Sequence, residues 1–164
     1  MAKPIIVVPY DPRWPELFAK LRATLSAALG DVAVNIEHVG STAVPGLAAK
    51  PIIDVDVVIS SWKGLQHAIG RLAKIGYVHE GDLGIPGREA FAAPRGETDH
   101  HLYVCAADSV ELQRHITFRD KLRSNQTAAQ QYAELKFKLA NDFYSDRMAY
   151  TEGKSAWIAA FLKG

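Results

Sequence analysis

The sequence predicts an α+β fold: a mixed β-sheet of about five strands packed on helices, with a helical C-terminal third. Three observations carry that expectation. Apolar runs of strand length, rich in valine and isoleucine, recur up to about residue 106 and are bounded by Gly, Pro and Ser turns. Leucines and aromatics recur at helical spacing in two earlier stretches and throughout the part after residue 108. No linker, repeat or low-complexity segment divides the 164 residues, so 1–164 reads as a single domain. A chain near 150 residues buries roughly 70% of its unfolded surface, enough for a real core.

Taken in order, Ile5 to Val8 is a short apolar segment before the turn Pro9-Tyr10-Asp11-Pro12. Asp11 is expected to cap the first helix, with Pro12 at its first position. Trp14, Leu17, Leu21, Leu25 and Ala28 form that helix's apolar face, and Gly30 stops it. Val32 to Val39 reads as a strand, followed by the turn Gly40-Ser41-Thr42. Pro45 and Gly46 then break the chain too often for a long helix. The run Lys50-Pro51-Ile52-Ile53-Asp54-Val55-Asp56-Val57-Val58-Ile59 is the next strand. A second amphipathic helix spans about Trp62 to Ile75, with Leu65, Ile69, Leu72 and Ile75 on one face and Gly76 as its cap.

Tyr77 to Glu80 is a further strand, and residues 81–87 form a glycine-rich loop. Arg88 to Ala93 and Asp99 to Ala106 make a hairpin around Pro94-Arg95-Gly96. Asp108 with Glu111 is the expected capping box of a helix from about Ser109 to Arg123. Thr127 with Gln130 is expected to cap another, carrying Tyr132, Leu135, Leu139 and Phe143. A last helix holds Trp157, Ile158, Phe161 and Leu162.

Composition narrows the function classes. A net charge of +1 argues against a dedicated nucleic-acid binder, which would carry a strong basic excess. Cys105 is the single cysteine, so cysteine-rich zinc motifs are excluded. No apolar run reaches the roughly 18–20 residues of a membrane span. The start of the chain lacks a signal-peptide core. A cytoplasmic protein with no membrane partner is expected.

The chemistry concentrates in the strand holding Asp54 and Asp56. Residues two apart leave the same face of a strand, which sets these carboxyls roughly 6–7 Å apart. Two like charges at that distance repel by roughly 2–3 kcal/mol at an effective dielectric near 20. A cation, hydrogen-bond donors or open water must answer that repulsion. A solvated edge strand is the plain alternative, but Val58 continues the aspartate face with an apolar side chain. Carboxylate oxygens there suit a magnesium ion carrying phosphates. Gly40 and Ser41 leave the preceding strand in a turn whose backbone N–H groups and hydroxyls, Thr42 included, can hold phosphate oxygens.

Gly-Ser on one strand, followed by Asp-x-Asp on the next, resembles the pattern of polymerase-beta-like nucleotidyltransferases. The longer run from Ile36-Glu37-His38-Val39-Gly40-Ser41-Thr42 to Lys50-Pro51-Ile52-Ile53-Asp54-Val55-Asp56 looks more narrowly like the GrpB family of that superfamily. The resemblance extends to Tyr10-Asp11-Pro12 and Trp14, His100-His101-Leu102, Arg114-His115, Phe118-Arg119-Asp120, Tyr132, Leu135-Lys136 and Lys154. It implies a nucleotidyltransferase-like fold, and a related domain is found fused to dephospho-coenzyme A kinase. One departure is Tyr103, where members often carry the second histidine of His-x-His.

The expected function is magnesium-dependent transfer of a nucleotidyl group from a nucleoside triphosphate to an acceptor. Asp54 and Asp56 would hold the metal, and Gly40, Ser41 and Thr42 the phosphates. Lys50, Arg88, Arg114, Arg119, Lys136 and Lys154 are candidates to neutralise the triphosphate or a second substrate. The resemblance adds His115 to these cations and raises Arg114 and Arg119 above the rest. Along the hairpin's second strand, Asp99, His101, Tyr103 and Cys105 share one parity, and His100 has that of Leu102 and Val104. Asp99 or His101 should therefore point at the carboxylates, as third acid or as general base. The alternatives are a nucleotide- or metabolite-binding module without catalysis, or a chaperone-like domain.

Overall fold

The computed structural model describes residues 3–164. Helices α1 (Trp14–Leu29) and α2 (Leu65–Ala73) belong to the first half, and α3 (Val110–Arg123), α4 (Gln126–Asp142) and α5 (Arg147–Lys163) follow the sheet. Strands β1 (Asn35–Val39), β2 (Ile53–Ile59), β3 (Val78–Gly81), β4 (Glu89–Ala92) and β5 (His100–Ala106) form one sheet in the order β1-β2-β5-β4-β3. Among the described residues, β2 and β5 run parallel and the other neighbouring strands pair antiparallel. A parallel pair needs a long crossover, and here α2, β3 and β4 supply it.

Period-two alternation sorts the strand side chains into two faces. Val55, Val57, Leu102, Val104 and Phe91 meet α1 and α2 in the main core. Val58 and Cys105 face the other way, against Leu112 and Ile116 of α3. The aspartate face is therefore roofed by a helix, and β2 lies inside the sheet. Farther along, Phe118 and Leu122 of α3 pack with Tyr132 of α4 and Trp157 and Phe161 of α5. The helical C-terminal third thus builds a second wall over one end of the sheet.

Several element starts differ from expectation, each for a local reason. Asp11 does not cap α1: it accepts from Arg13 N–H at 2.9 Å in a turn, and the helix opens at Trp14 with Pro15 in its first turn. A 3₁₀ turn over Gly30–Val32 uses the residues expected to begin β1, which starts at Asn35. Another, Trp62–Gly64, delays α2 to Leu65. Ser109 rather than Asp108 caps α3, accepting from Leu112 N–H at 3.3 Å. Asn125 rather than Thr127 caps α4, accepting from Ala128 N–H at 3.0 Å. An asparagine two residues earlier offers an equivalent acceptor and starts the helix sooner. No helix among the described residues is long and apolar enough to cross a membrane.

Candidate functional site

Antiparallel pairing sets Val39 opposite Asp54, so the turn at Gly40 opens directly beside the first carboxylate. Gly40 has φ +76° and ψ −175°, a backbone state essentially confined to glycine. A Cβ there would lie 2.2 Å from Asp54 Oδ2. The missing side chain thus makes room for the aspartate itself, where close approach of a phosphate was the sequence-based expectation.

The two carboxylates sit differently. Asp54 is part-exposed, and His101 Nδ1 donates to its Oδ1 at 3.0 Å. Asp56 is 0% exposed, and His115 Nδ1 donates to its Oδ2 at 2.6 Å. The expected repulsion is therefore answered by two imidazoles, one from β5 and one from α3. Burial lifts the Asp56 carboxyl above its ordinary range, and the His115 bond offsets only part of that. Burial opposes charge on His115, yet the Asp56 hydrogen bond and the nearby carboxylates raise its pKa. Asp56 Oδ1 is buried and has no partner.

Cations gather at the end of β2 where Lys50 enters. Lys50, Lys136 and Lys154 line a small cavity of about 150 Å³ with Ser41, Asp54, His101 and Tyr150. Lys50 and Lys154 both lie over the Tyr150 ring, at 5.2 and 4.6 Å from its centroid. Lys136 donates to Ala48 O and lies over Tyr132. Burial, reinforced by Lys154, pulls the Lys136 pKa down to about 7. Burial and Lys50 pull Lys154 to about 8. Ser41, Asp54 and Lys154 also line a larger cleft of about 360 Å³, bounded by Arg88, Tyr103, Glu111, Arg114, His115 and Phe118.

Three expected residues fall outside this arrangement. The Thr42 hydroxyl is 2.9 Å from His38 Nε2 in a buried contact, which leaves it no part in phosphate binding. Arg119 is spent on Glu37 (2.6 Å), Asp120 (2.9 Å) and the His38 carbonyl (3.1 Å), so it ties α3 to β1. Asp99 is exposed just before β5 and lines an adjoining hollow with Lys3 and Arg147, which Lys50 and His101 also border, while it lines neither the lysine cavity nor the larger cleft. His100 is packed: its Nδ1–H donates to Thr98 O at 2.5 Å, and its Nε2 accepts from the Tyr77 hydroxyl at 2.6 Å. Glu37, which pairs with Asp56 in register, supplies a further acid on that face. Its oxygens are held by Asn35 and Arg119. Glu111, 3.6 Å from His115 Nε2, is another acid no sequence pattern marked except as a cap.

Among the described residues, no three His, Cys, Asp or Glu side chains stand together as a metal cage. Magnesium does not need one, because it keeps several waters and is commonly bound by one or two carboxylates plus substrate phosphates. The orphaned Asp56 Oδ1, beside the part-exposed Asp54, fits that mode.

The GrpB protein family model matches residues 4–164. UPF0157 protein BH1888 of Halalkalibacterium halodurans is 36% identical over 162 residues, covering 97% of this chain and 81% of its own length. The crystal structure of conserved protein GrpB from Enterococcus faecalis superposes with a TM-score of 0.87 at 34% identity, over 96% of this chain and 95% of that one. A structure of the Cid1 poly(U) polymerase with MgGTP bound gives a TM-score of 0.56 at 12% identity, over 81% of this chain and 43% of that chain. The last likeness concerns the fold alone. With a family model spanning nearly every residue and a solved member superposing end to end, this protein belongs to the GrpB family and shares the fold of nucleotidyltransferases.

Proposed function

We propose that the cleft binds a magnesium nucleoside triphosphate and transfers its nucleotidyl group to an acceptor hydroxyl. The observation that carries this reading is the pairing of Val39 with Asp54, which joins the Gly40-Ser41 turn to two carboxylates on one strand face. The Cid1 polymerase, which holds MgGTP on the same fold, supports it by analogy. Asp54 and the free Oδ1 of Asp56 would hold the ion. When bound, magnesium neutralises phosphate oxygens and favours attack at the α-phosphorus.

The chain's own residues supply the rest. Ser41 and the three lysines receive the β- and γ-phosphates in the smaller cavity. The acceptor oxygen forms a bond to the α-phosphorus. The bond from that phosphorus to the bridging oxygen breaks, and pyrophosphate leaves with the electron pair. The acceptor's proton passes to His115 Nε2, which Asp56 orients through Nδ1. A cytoplasmic setting, where triphosphates are available, belongs to the same proposal.

The test is a panel of nucleoside triphosphates with magnesium, read by thermal shift and calorimetry. At a hundred times its Kd, a bound triphosphate adds about 2.7 kcal/mol, a rise in Tm of about 5–10 °C for a chain this long. Asp54→Asn and Asp56→Asn should fold and lose the magnesium-dependent part. No binding by the wild type overturns the reading. A second reading is a binding module without catalysis, favoured because, among the described residues, no third His, Cys, Asp or Glu groups with Asp54 and Asp56 as a ligand set. Tight triphosphate binding with no pyrophosphate release for any acceptor would decide for that module.

A further inference from the structure

Two cationic poles flank the carboxylates, and one triphosphate accounts for only one of them. Lys50 precedes β2, and with Lys136 and Lys154 it marks the end where β2 begins. Arg88 stands toward the opposite end. Its neighbour Glu89 pairs with Val104, one residue beyond Tyr103, which itself pairs with Asp56. Gly87, just before it, is pinned by the Ser109 hydroxyl, which donates to Gly87 O at 2.5 Å.

The Arg88 guanidinium is laid over the Tyr103 ring, 4.2 Å from its centroid, and the residue lines the larger cleft. Its Nε is buried with no hydrogen-bond partner, and no ion pair engages it among the described residues. Arg114 lines the same cleft, with Glu111 Oε1 at 3.8 Å as a loose counterion. Glu111 also faces His115 at 3.6 Å. One carboxylate thus serves Arg114 and His115 together, and Arg88, though near enough for its charge to favour the Asp56 carboxylate, makes no ion pair of its own among the described residues. A held guanidinium with an unused donor is the standard receptor for an oxyanion.

In-line displacement fixes which substrate that is. Leaving group and attacking oxygen lie on opposite sides of the phosphorus. With pyrophosphate departing at the lysine pole, the acceptor approaches from the arginine pole. We infer that the acceptor is a small hydroxyl compound carrying its own oxyanion, a phosphate or a carboxylate, which Arg88 and Arg114 hold. This rests on the nucleotidyl-transfer reading. The cleft volume of about 360 Å³ and the +1 net charge favour a small molecule over a nucleic acid strand.

The experiment separates the two claims. The 164-residue protein is saturated with magnesium and the α,β-methylene triphosphate of whichever nucleoside binds. Glycerol 3-phosphate, glycerate and glycerol are then titrated by calorimetry, with a short oligoribonucleotide as a fourth arm. The expected result is binding of one or both anions and none of glycerol; which anion binds identifies the oxyanion. Arg88→Met and Arg114→Gln should each weaken that binding about ten-fold or more. Their affinity for the triphosphate analogue should stay within about two-fold of wild type, whereas Lys154→Met loses it. Glycerol binding as well as the anions, no anion binding, preference for the oligoribonucleotide, or arginine variants that lose the analogue as Lys154→Met does, would each overturn the inference. If wild type binds no analogue, the transfer reading fails first. The anions are then titrated on Lys154→Met protein, where binding that Arg88→Met abolishes keeps the oxyanion site and no binding removes it.

Discussion

Gly40 and Asp54 occupy one small volume, and the consequence is specific. An alanine at 40 must take a backbone state of φ +76° and place its Cβ 2.2 Å from Asp54 Oδ2. The backbone strain alone costs about 1–3 kcal/mol. Gly40→Ala should therefore lower stability by at least that amount in urea melts and weaken magnesium-dependent triphosphate binding, because Asp54 is displaced. Wild-type melting and affinity would show that the aspartate moves aside at no cost. Lys136 gives a pH signature. The folded protein releases its proton near pH 7, while the unfolded chain keeps it to about 10.5. Between those values the unfolded state binds more protons, so stability rises with pH. From pH 7 to about 8.5 the metal-free protein should gain Tm, and Lys136→Met should flatten the gain. His38 acts in a different window. Burial, with Phe18 stacked on its ring, lowers its pKa to about 4, so the stability its neutral form contributes is full above about 6.5 and is lost as pH falls from there toward 4. An unchanged pH slope in Lys136→Met would mean the lysine is hydrated in solution.

The helices deliver the cations, and their packing sets where those cations stand. α5 carries Tyr150 and Lys154, and it approaches α4 at Gly153, where a Cβ would meet Leu139 Cδ2 at 2.6 Å. Trp157 stacks on Tyr132 with centroids 4.8 Å apart, continuing the contact one turn later. Alanine would gain about 0.5–1 kcal/mol of helix propensity at 153. Overpacking against a buried leucine costs about 1–3 kcal/mol. Gly153→Ala should thus destabilise on balance and weaken triphosphate affinity, because Lys154 is the next residue. A variant more stable than wild type, with unchanged affinity, would show that Leu139 turns away freely. On the sheet side, Arg119 bridges α3 to Glu37 and the His38 carbonyl, which holds His115 over Asp56.

The molecule divides its labour by region: the sheet brings carboxylates, the glycine-rich loop brings Arg88, and the C-terminal helices bring lysines. Much of that was legible in the chain. Period-two runs and helical spacing located the five strands and five helices, and Val58 foretold a covered aspartate face. Short-range pattern suffices there because each residue's face follows from its own neighbours. The Gly-Ser and Asp-x-Asp pair was legible too, since consecutive strands so often lie side by side. The starts of the first four helices were legible only to within about three residues, because Ser109 and Asn125 compete with nearby residues of equal capping chemistry and a 3₁₀ turn precedes α2. The fifth, α5, opens at Arg147, well before the Trp157 that marked it. What only the tertiary structure decided was which partner each polar group took. His115 reaches Asp56 across 59 residues of sequence, and Arg119 reaches Glu37 across 82. Thr42 turned to His38, and Asp99 turned to solvent. These choices follow from helices docking on a sheet, where every buried donor and acceptor competes for a partner brought from elsewhere in the chain. No local spacing encodes that competition.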